Sequence, residues 1–284
     1  MKKIKKSLQY IFFIIFSFYS FSLLANELKS TIYVYTGPGA SESSLKHTFH
    51  TLQQLIDPSF HTIKKINPEE IKNTKWNSEA ILLIMPGGAD TPYMKHLSSD
   101  GNNKIRQFVE NGGNYLGICA GSYYAGKELE FAKNTEMEVS GPRDLGFFPG
   151  TVRGPVLAKY DYNSCSGCRV ANLIWEQSSS FPKGTVFYSF YNGGGFFVDA
   201  EKKPNTQVLA SYVTSLGTLP AIIEVKIGKG KAILSGPHWE YDYKLLDIAN
   251  PYLVEIIPKL KETNESRLKL AYHILKRLGI HTRS

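Results

Sequence analysis

The chain has 284 residues, with 33 basic against 25 acidic side chains for a formal charge of +8, and three cysteines. Three thiols are too few for a disulfide scaffold, so an apolar core has to hold the fold. Lys2, Lys3, Lys5 and Lys6 supply four of the positive charges; without them the charge falls to +4, and the remaining basic residues are scattered among acids, which argues against nucleic-acid binding.

Those lysines precede an uncharged run over residues 10–24, rich in Ile, Phe and Leu and closed by the small residue Ala25. The pattern predicts a cleaved export signal, a periplasmic or secreted protein, and no membrane span once the signal is removed. Residues 26–284 then read as one domain, since no linker, low-complexity tract or internal repeat interrupts them, with a helical extension from about residue 244.

Residues 31–35 form a β-rich run ending at Gly37-Pro38-Gly39, and residues 42–56 set Leu45, Phe49, Leu52, Leu55 and Ile56 on a helical face. Strands follow at residues 61–66 and 79–85, the second ending in Pro86-Gly87-Gly88. A helix over residues 103–110 closes at Asn111-Gly112-Gly113. A buried strand over residues 115–118 then runs into Cys119, with helix predicted over residues 122–131. This order gives a parallel α/β sheet, whose sites lie beyond the carboxyl ends of its strands. Residues 136–212 interleave Gly, Pro and aromatics and read as short β elements and long loops. Alternating runs over residues 186–190, 207–212 and 221–227 precede the strand 232–235, which delivers His238, and residues 252–278 read as helix broken at Pro258.

Cys119 at a strand-to-helix junction is a candidate nucleophile, because the helix start favours its thiolate and glycine neighbours admit a substrate; the alternative is a core cysteine in a tightly packed junction. His238 is the candidate base, and Glu240, two positions on, the group that fixes its tautomer; a surface histidine followed by an unrelated acid is the other reading. The backbone N–H groups of Gly88 and Ala120 are candidate oxyanion donors. Arg143 and Arg153 could pair with a substrate carboxylate, while Tyr123, Tyr124, Tyr191 and Phe196 could wall a pocket, and Asp90 could orient the oxyanion loop or cap the next segment. Cys165 and Cys168 form a lone C-x-x-C with no second ligand pair nearby, which predicts a local disulfide over a zinc site.

The ordered set Gly87-Gly88, Gly117-Ile118-Cys119-Ala120-Gly121 and His238-x-Glu240 resembles the class I glutamine amidotransferase-like superfamily. Within it, Met85-Pro86-Gly87-Gly88-Ala89-Asp90, the stretch from Gly113 through Cys119 to Tyr124, and Asn192-Gly193-Gly194 are similar to the amidotransferase-like N-terminal domain of biotin-protein ligases. The likeness extends over residues 30–243. It implies a flavodoxin-like three-layer α/β sandwich with a mostly parallel central sheet plus a β-rich, loop-rich segment. It also implies a thioester-forming Cys119, with His238 as base then acid, Glu240 as its orienting group, and Gly87 and Asn192 beside the substrate. Biotin ligation itself is not implied, and no phosphate-binding loop with a lysine is present.

These readings point to an exported cysteine-dependent hydrolase or amidase acting on a small amide, peptide-like or acyl substrate, with no cofactor and no metal. A catalytically silent small-molecule or peptide binder, or a cell-envelope interaction module, on the same fold are the alternatives. No protein partner is named by the sequence.

Overall fold

The computed structural model describes residues 30–178 and 181–283. The expected export signal lies outside the described residues. Among the described residues no helix is long and apolar enough to cross a membrane.

Chain order begins β1 (Ser30–Tyr35), α1 (Glu42–Leu55), β2 (His61–Ile66), α2 (Pro68–Asn73), β3 (Ala80–Met85), α3 (Asp90–Glu110), β4 (Asn114–Ile118) and the short α4 (Ala120–Tyr124). It continues β5 (Gly126–Phe131), β6 (Val139–Pro142), β7 (Phe148–Gly154), β8 (Arg169–Trp175), β9 (Val186–Tyr191), β10 (Phe196–Phe197), β11 (Thr206–Thr214), β12 (Gly217–Ile227) and β13 (Gly230–Ser235). Helices α5 (Ile256–Glu262) and α6 (Asn264–Arg277) follow.

Nine strands make one sheet in the order β2-β1-β3-β4-β13-β12-β11-β8-β9. The pairs from β2 through β13 are parallel and those from β13 to β9 antiparallel. Period-two alternation divides each parallel strand between two cores. Tyr33, Tyr35, Leu83, Met85, Ala232 and Leu234 pack with Tyr93, Leu97, Ile105 and Phe108 of α3. Ile32, Val34, Leu82, Ile84, Leu116 and Ile233 pack with Leu52 of α1 and Leu270, Ile274 and Leu275 of α6. The result is a three-layer α/β sandwich, as the sequence indicated. A second sheet, β10-β7-β5-β6, is built from the middle segment.

Three local expectations are corrected. Residues 126–131 are strand, not helix: Leu129 and Phe131 are buried while the residues between them are less so, a period of two that no helix face accommodates. The helix before β4 starts at Asp90, a residue followed by Thr91-Pro92, and is broken where Ser98 takes φ 52°; the predicted segment 103–110 is its second half. In the C-terminal region Pro258 lies within the first turn of α5, where proline is tolerated, and the helical run is instead divided at Thr263.

Candidate functional site

Cys119 leaves β4 with φ 48° and ψ −105°, a left-handed conformation that costs a non-glycine residue free energy and turns its side chain out of the sheet. Its N–H is tied to the Ser235 carbonyl at 2.8 Å, which fixes it to the end of β13. The junction needs Gly121, because a Cβ there would stand 2.1 Å from the Met85 carbonyl oxygen.

His238 follows β13 and donates its backbone N–H to the Phe190 carbonyl at 2.8 Å. Its Nδ1 meets Glu240 Oε1 at 2.7 Å, with both side chains buried. Burial alone would lower the imidazole pKa, but the Glu240 carboxylate and then Cys119 outweigh it and raise the ring to about 10, so His238 carries a proton at neutral pH. The Cys119 Sγ lies 3.7 Å from the Asn192 carbonyl oxygen.

Ser44 of α1, which the sequence did not single out, ties two of these parts together. Its hydroxyl donates to Glu240 Oε1 at 3.2 Å and accepts from the Gly87 N–H at 2.9 Å. The Gly87 donor is thereby used in holding the turn. Glycine is needed at that position because a Cβ would sit 2.6 Å from His238 Cε1. Neither the Gly88 nor the Ala120 N–H has a hydrogen-bond partner among the described residues, and both residues line the cavity.

Behind His238 and Glu240 lies a buried polar strut. Arg267 of α6 donates to the Trp239 carbonyl (3.1 Å) and to Thr51 (3.3 Å), and pairs with Asp242 at 3.2 Å. His47 stacks on Tyr241 at 3.9 Å between ring centroids and accepts the Asp242 N–H at 3.0 Å, so it must be unprotonated there. Burial, and secondarily the charge on His238, push its pKa down to about 3.

The cavity encloses about 720 Å³ of space, open solvent at its mouth included. Its floor is Gly87, Gly88, Cys119, Ala120 and His238, and its wall includes Leu129, Phe131, Tyr160, Tyr162, Asn192 and Tyr241. Of the residues expected at a substrate, Gly87, Tyr123 and Asn192 line it; the Tyr123 hydroxyl donates to the Gly193 carbonyl at 3.0 Å.

Arg143 and Arg153 do not line it, which corrects their expected role as substrate contacts. Arg143 is buried, with its Nε on Asp90 Oδ2 at 2.5 Å and Nη1 on the Gly141 and Pro142 carbonyls. Arg153 pairs with Glu130 at 2.6 Å on a half-exposed surface. Tyr124, Tyr191 and Phe196 also lie off the cavity: Tyr124 bonds Asn102, and Tyr191 accepts from Val156 and Leu157. The expected disulfide is absent, because Cys165 and Cys168 are free thiols, the second pushed up in pKa by burial and then by its bond to Cys165.

Chemically, the cavity is lined by residues with two free backbone donors, Gly88 and Ala120, and by the His238 ring, groups of the kind that hydrogen-bond a carbonyl or carboxylate oxygen. Among the described residues no group of three His, Cys, Asp or Glu side chains is placed to hold a metal ion.

The profile of the family described as biotin-protein ligase, N terminal, matches residues 30–284. A biotin-protein ligase of Schizosaccharomyces pombe is 35% identical over 251 residues, covering 88% of this chain. The chain spans 38% of that ligase's length. An uncharacterized protein of Chlamydia muridarum is 32% identical over 249 residues, covering 87% of this chain and 94% of its own. Among solved structures, the GH42 β-galactosidase Gan42B aligns with a TM-score of 0.49 at 13% identity, over 89% of this chain and 30% of that one.

These matches overturn the expectation of a cysteine-dependent hydrolase working through a catalytic triad. The family that takes in residues 30–284 is named for a ligase, and the named relative of this stretch is a ligase rather than a hydrolase. The residues Cys119, His238 and Glu240 do come together, Cys119 and His238 in the cavity floor and Glu240 behind His238. With its match running almost the whole length of the chain, this protein belongs to the biotin-protein ligase N-terminal family.

Proposed function

We propose that the chain is a small-molecule-binding domain of the biotin-protein ligase type, whose cavity receives the carboxylate or acyl carbonyl of its ligand, with biotin the first compound to test. The observation that carries this reading is the pair of unpartnered N–H groups of Gly88 and Ala120 in the same cavity as His238, whose ring Glu240 biases toward the protonated form. Ala120 is buried and its donor is costly to leave without a partner, while the exposed Gly88 N–H opens to the cavity; a ligand oxygen can take a hydrogen bond from either. Glu240 keeps His238 charged, and Ser44 keeps Glu240 and the Gly87 turn in register.

The ligase relative makes biotin the natural candidate, since biotin has a carboxylate at one end and a compact ring at the other that suits the aromatic wall. The match covers 38% of that ligase, so what is carried over is the role of this domain and not ligation. Cys119 acts here as part of the floor: its thiol lies where a bound ligand would shield it.

Calorimetric titration of the full chain with biotin tests the reading, together with the rate at which iodoacetamide alkylates Cys119. Binding that slows alkylation and weakens by about tenfold or more in His238→Gln is expected, since a charge-assisted contact is lost. No heat and no protection with biotin, its methyl ester or caproate would overturn it.

A further inference from the structure

The wall of the cavity carries chemistry of its own. Tyr123, Phe131, Tyr160 and Tyr162 form a chain of edge-to-face rings: Tyr123–Phe131 at 5.7 Å, Phe131–Tyr160 at 5.5 Å and Tyr160–Tyr162 at 4.9 Å between centroids. Successive planes meet at 90°, 73° and 90°, so the rings turn ring faces and edges alternately along the opening. Asp90 stands on the same wall. Its Oδ2 is taken by Arg143, whereas its Oδ1 has no partner among the described residues. The buried Arg143 fixes the carboxylate's orientation from behind, its guanidinium held in turn by two carbonyls. The side-chain oxygen of Asn192, another lining residue, is buried without a partner. Among the described residues no lysine or arginine lines the cavity. Beside the donors of the floor, the cavity lining therefore offers two acceptors and a set of ring faces.

We propose that Asp90 reads N–H donors at the outer end of the ligand, so that the ligand is a carboxylate or acyl chain ending in a ureido or ammonium head, held between Asp90 and the Tyr160–Tyr162 corner. An N–H donor satisfies Asp90 Oδ1, and a planar ureido group or a cation gains from the ring faces. A head without donors would leave that carboxylate oxygen facing an apolar group, and the site discriminates against it for the same reason that buried polar groups reject apolar partners. The proposal rests on the reading of the floor as a carboxylate site, and it assigns specificity to a residue the floor does not use.

The test is a set of paired titrations on the full chain: biotin against its analogue with the ureido ring removed, and ε-aminocaproate against caproate. In each pair the donor-bearing member should bind more tightly by about tenfold or more, the discrimination expected when a polar partner is lost. The preference should vanish in Asp90→Asn. Because that change removes a buried charge beside Arg143, Tyr162→Leu serves as a second variant; Tyr162 is more than half exposed, and its loss should cut the preference by about threefold without affecting caproate. Preference within the biotin pair alone identifies a ureido head, and within the caproate pair alone an ammonium head; either supports the proposal. Equal affinities within both pairs would overturn it while leaving the floor reading intact. Pentylammonium binding with no binding of caproate would uphold the wall and sink the floor. No binding by any probe to the folded protein would overturn both.

Discussion

The parallel strands β1, β3, β4 and β13 and the small sheet of β5, β6, β7 and β10 serve the same cavity by different means. The parallel strands end at one edge and deliver Gly88, Cys119 and His238 within a few residues of their last sheet positions. The backbone there has little freedom: Cys119 is strained, Gly121 admits no Cβ, and Gly87 lies against the imidazole. The small sheet and its neighbouring loops instead bring Leu129, Phe131, Val139, Tyr160 and Tyr162 to the wall, from segments where side-chain packing rather than backbone geometry sets position. A floor built on strand ends is fixed by sterics, whereas the part of the wall that loops supply, Tyr160 and Tyr162, is free to vary with the ligand.

The most direct way to break the floor is Gly121→Val. With a Cβ driven against the Met85 carbonyl, stability should fall by about 3 kcal/mol or more, read from the urea midpoint. Ser44→Ala comes next, since it strips a partner from both the Gly87 N–H and Glu240; a loss of about 2 kcal/mol is expected. If the loss were negligible, the link between the glycine turn and the carboxylate would be unimportant.

The pH dependence sharpens the same contrast. His238 titrates at about 10 when folded against an ordinary 6.5, so its contribution is complete below about pH 6.5 and drains away as pH rises toward 10. His47 has the opposite sign: with its folded pKa near 3, the unfolded chain takes up the proton first, and stability falls as pH drops from about 6.5 toward 3. Urea midpoints measured across this range should therefore decline on both sides, the alkaline arm flattening in His238→Gln and the acid arm in His47→Gln. A floor indifferent to alkali in the wild-type chain would contradict the raised imidazole. The smallest effect belongs to Arg153→Ala, where removing a half-exposed ion pair should change stability by less than about 0.5 kcal/mol and leave biotin affinity unaltered.

The same division explains what could be read from the residues alone. Gly87-Gly88, Cys119 and His238-x-Glu240 were legible because each rests on a short stretch whose glycines and spacing have few structural uses. Arg143 was misplaced because its partner Asp90 lies 53 residues away, and a loop arginine looks the same whether it faces a ligand or an internal carboxylate. Ser44 left no trace, since its role comes from contacts 43 and 196 residues distant. Phe131 was hidden by the assignment of residues 126–131 to helix, although the alternation of Leu129 and Phe131 with glutamates carried the strand signal. Tyr160 and Tyr162 belong to a loop whose course only tertiary packing decides.

Arg267 shows how far the site reaches beyond its own motifs. The recognisable residues stop near Tyr243, yet the guanidinium that fastens the Trp239–Asp242 turn comes from α6. A fragment trimmed at the last motif would keep every group facing the cavity and lose the tether that aims two of them. The minimal working unit of this domain is therefore set by a distant anchor rather than by the residues that meet the ligand.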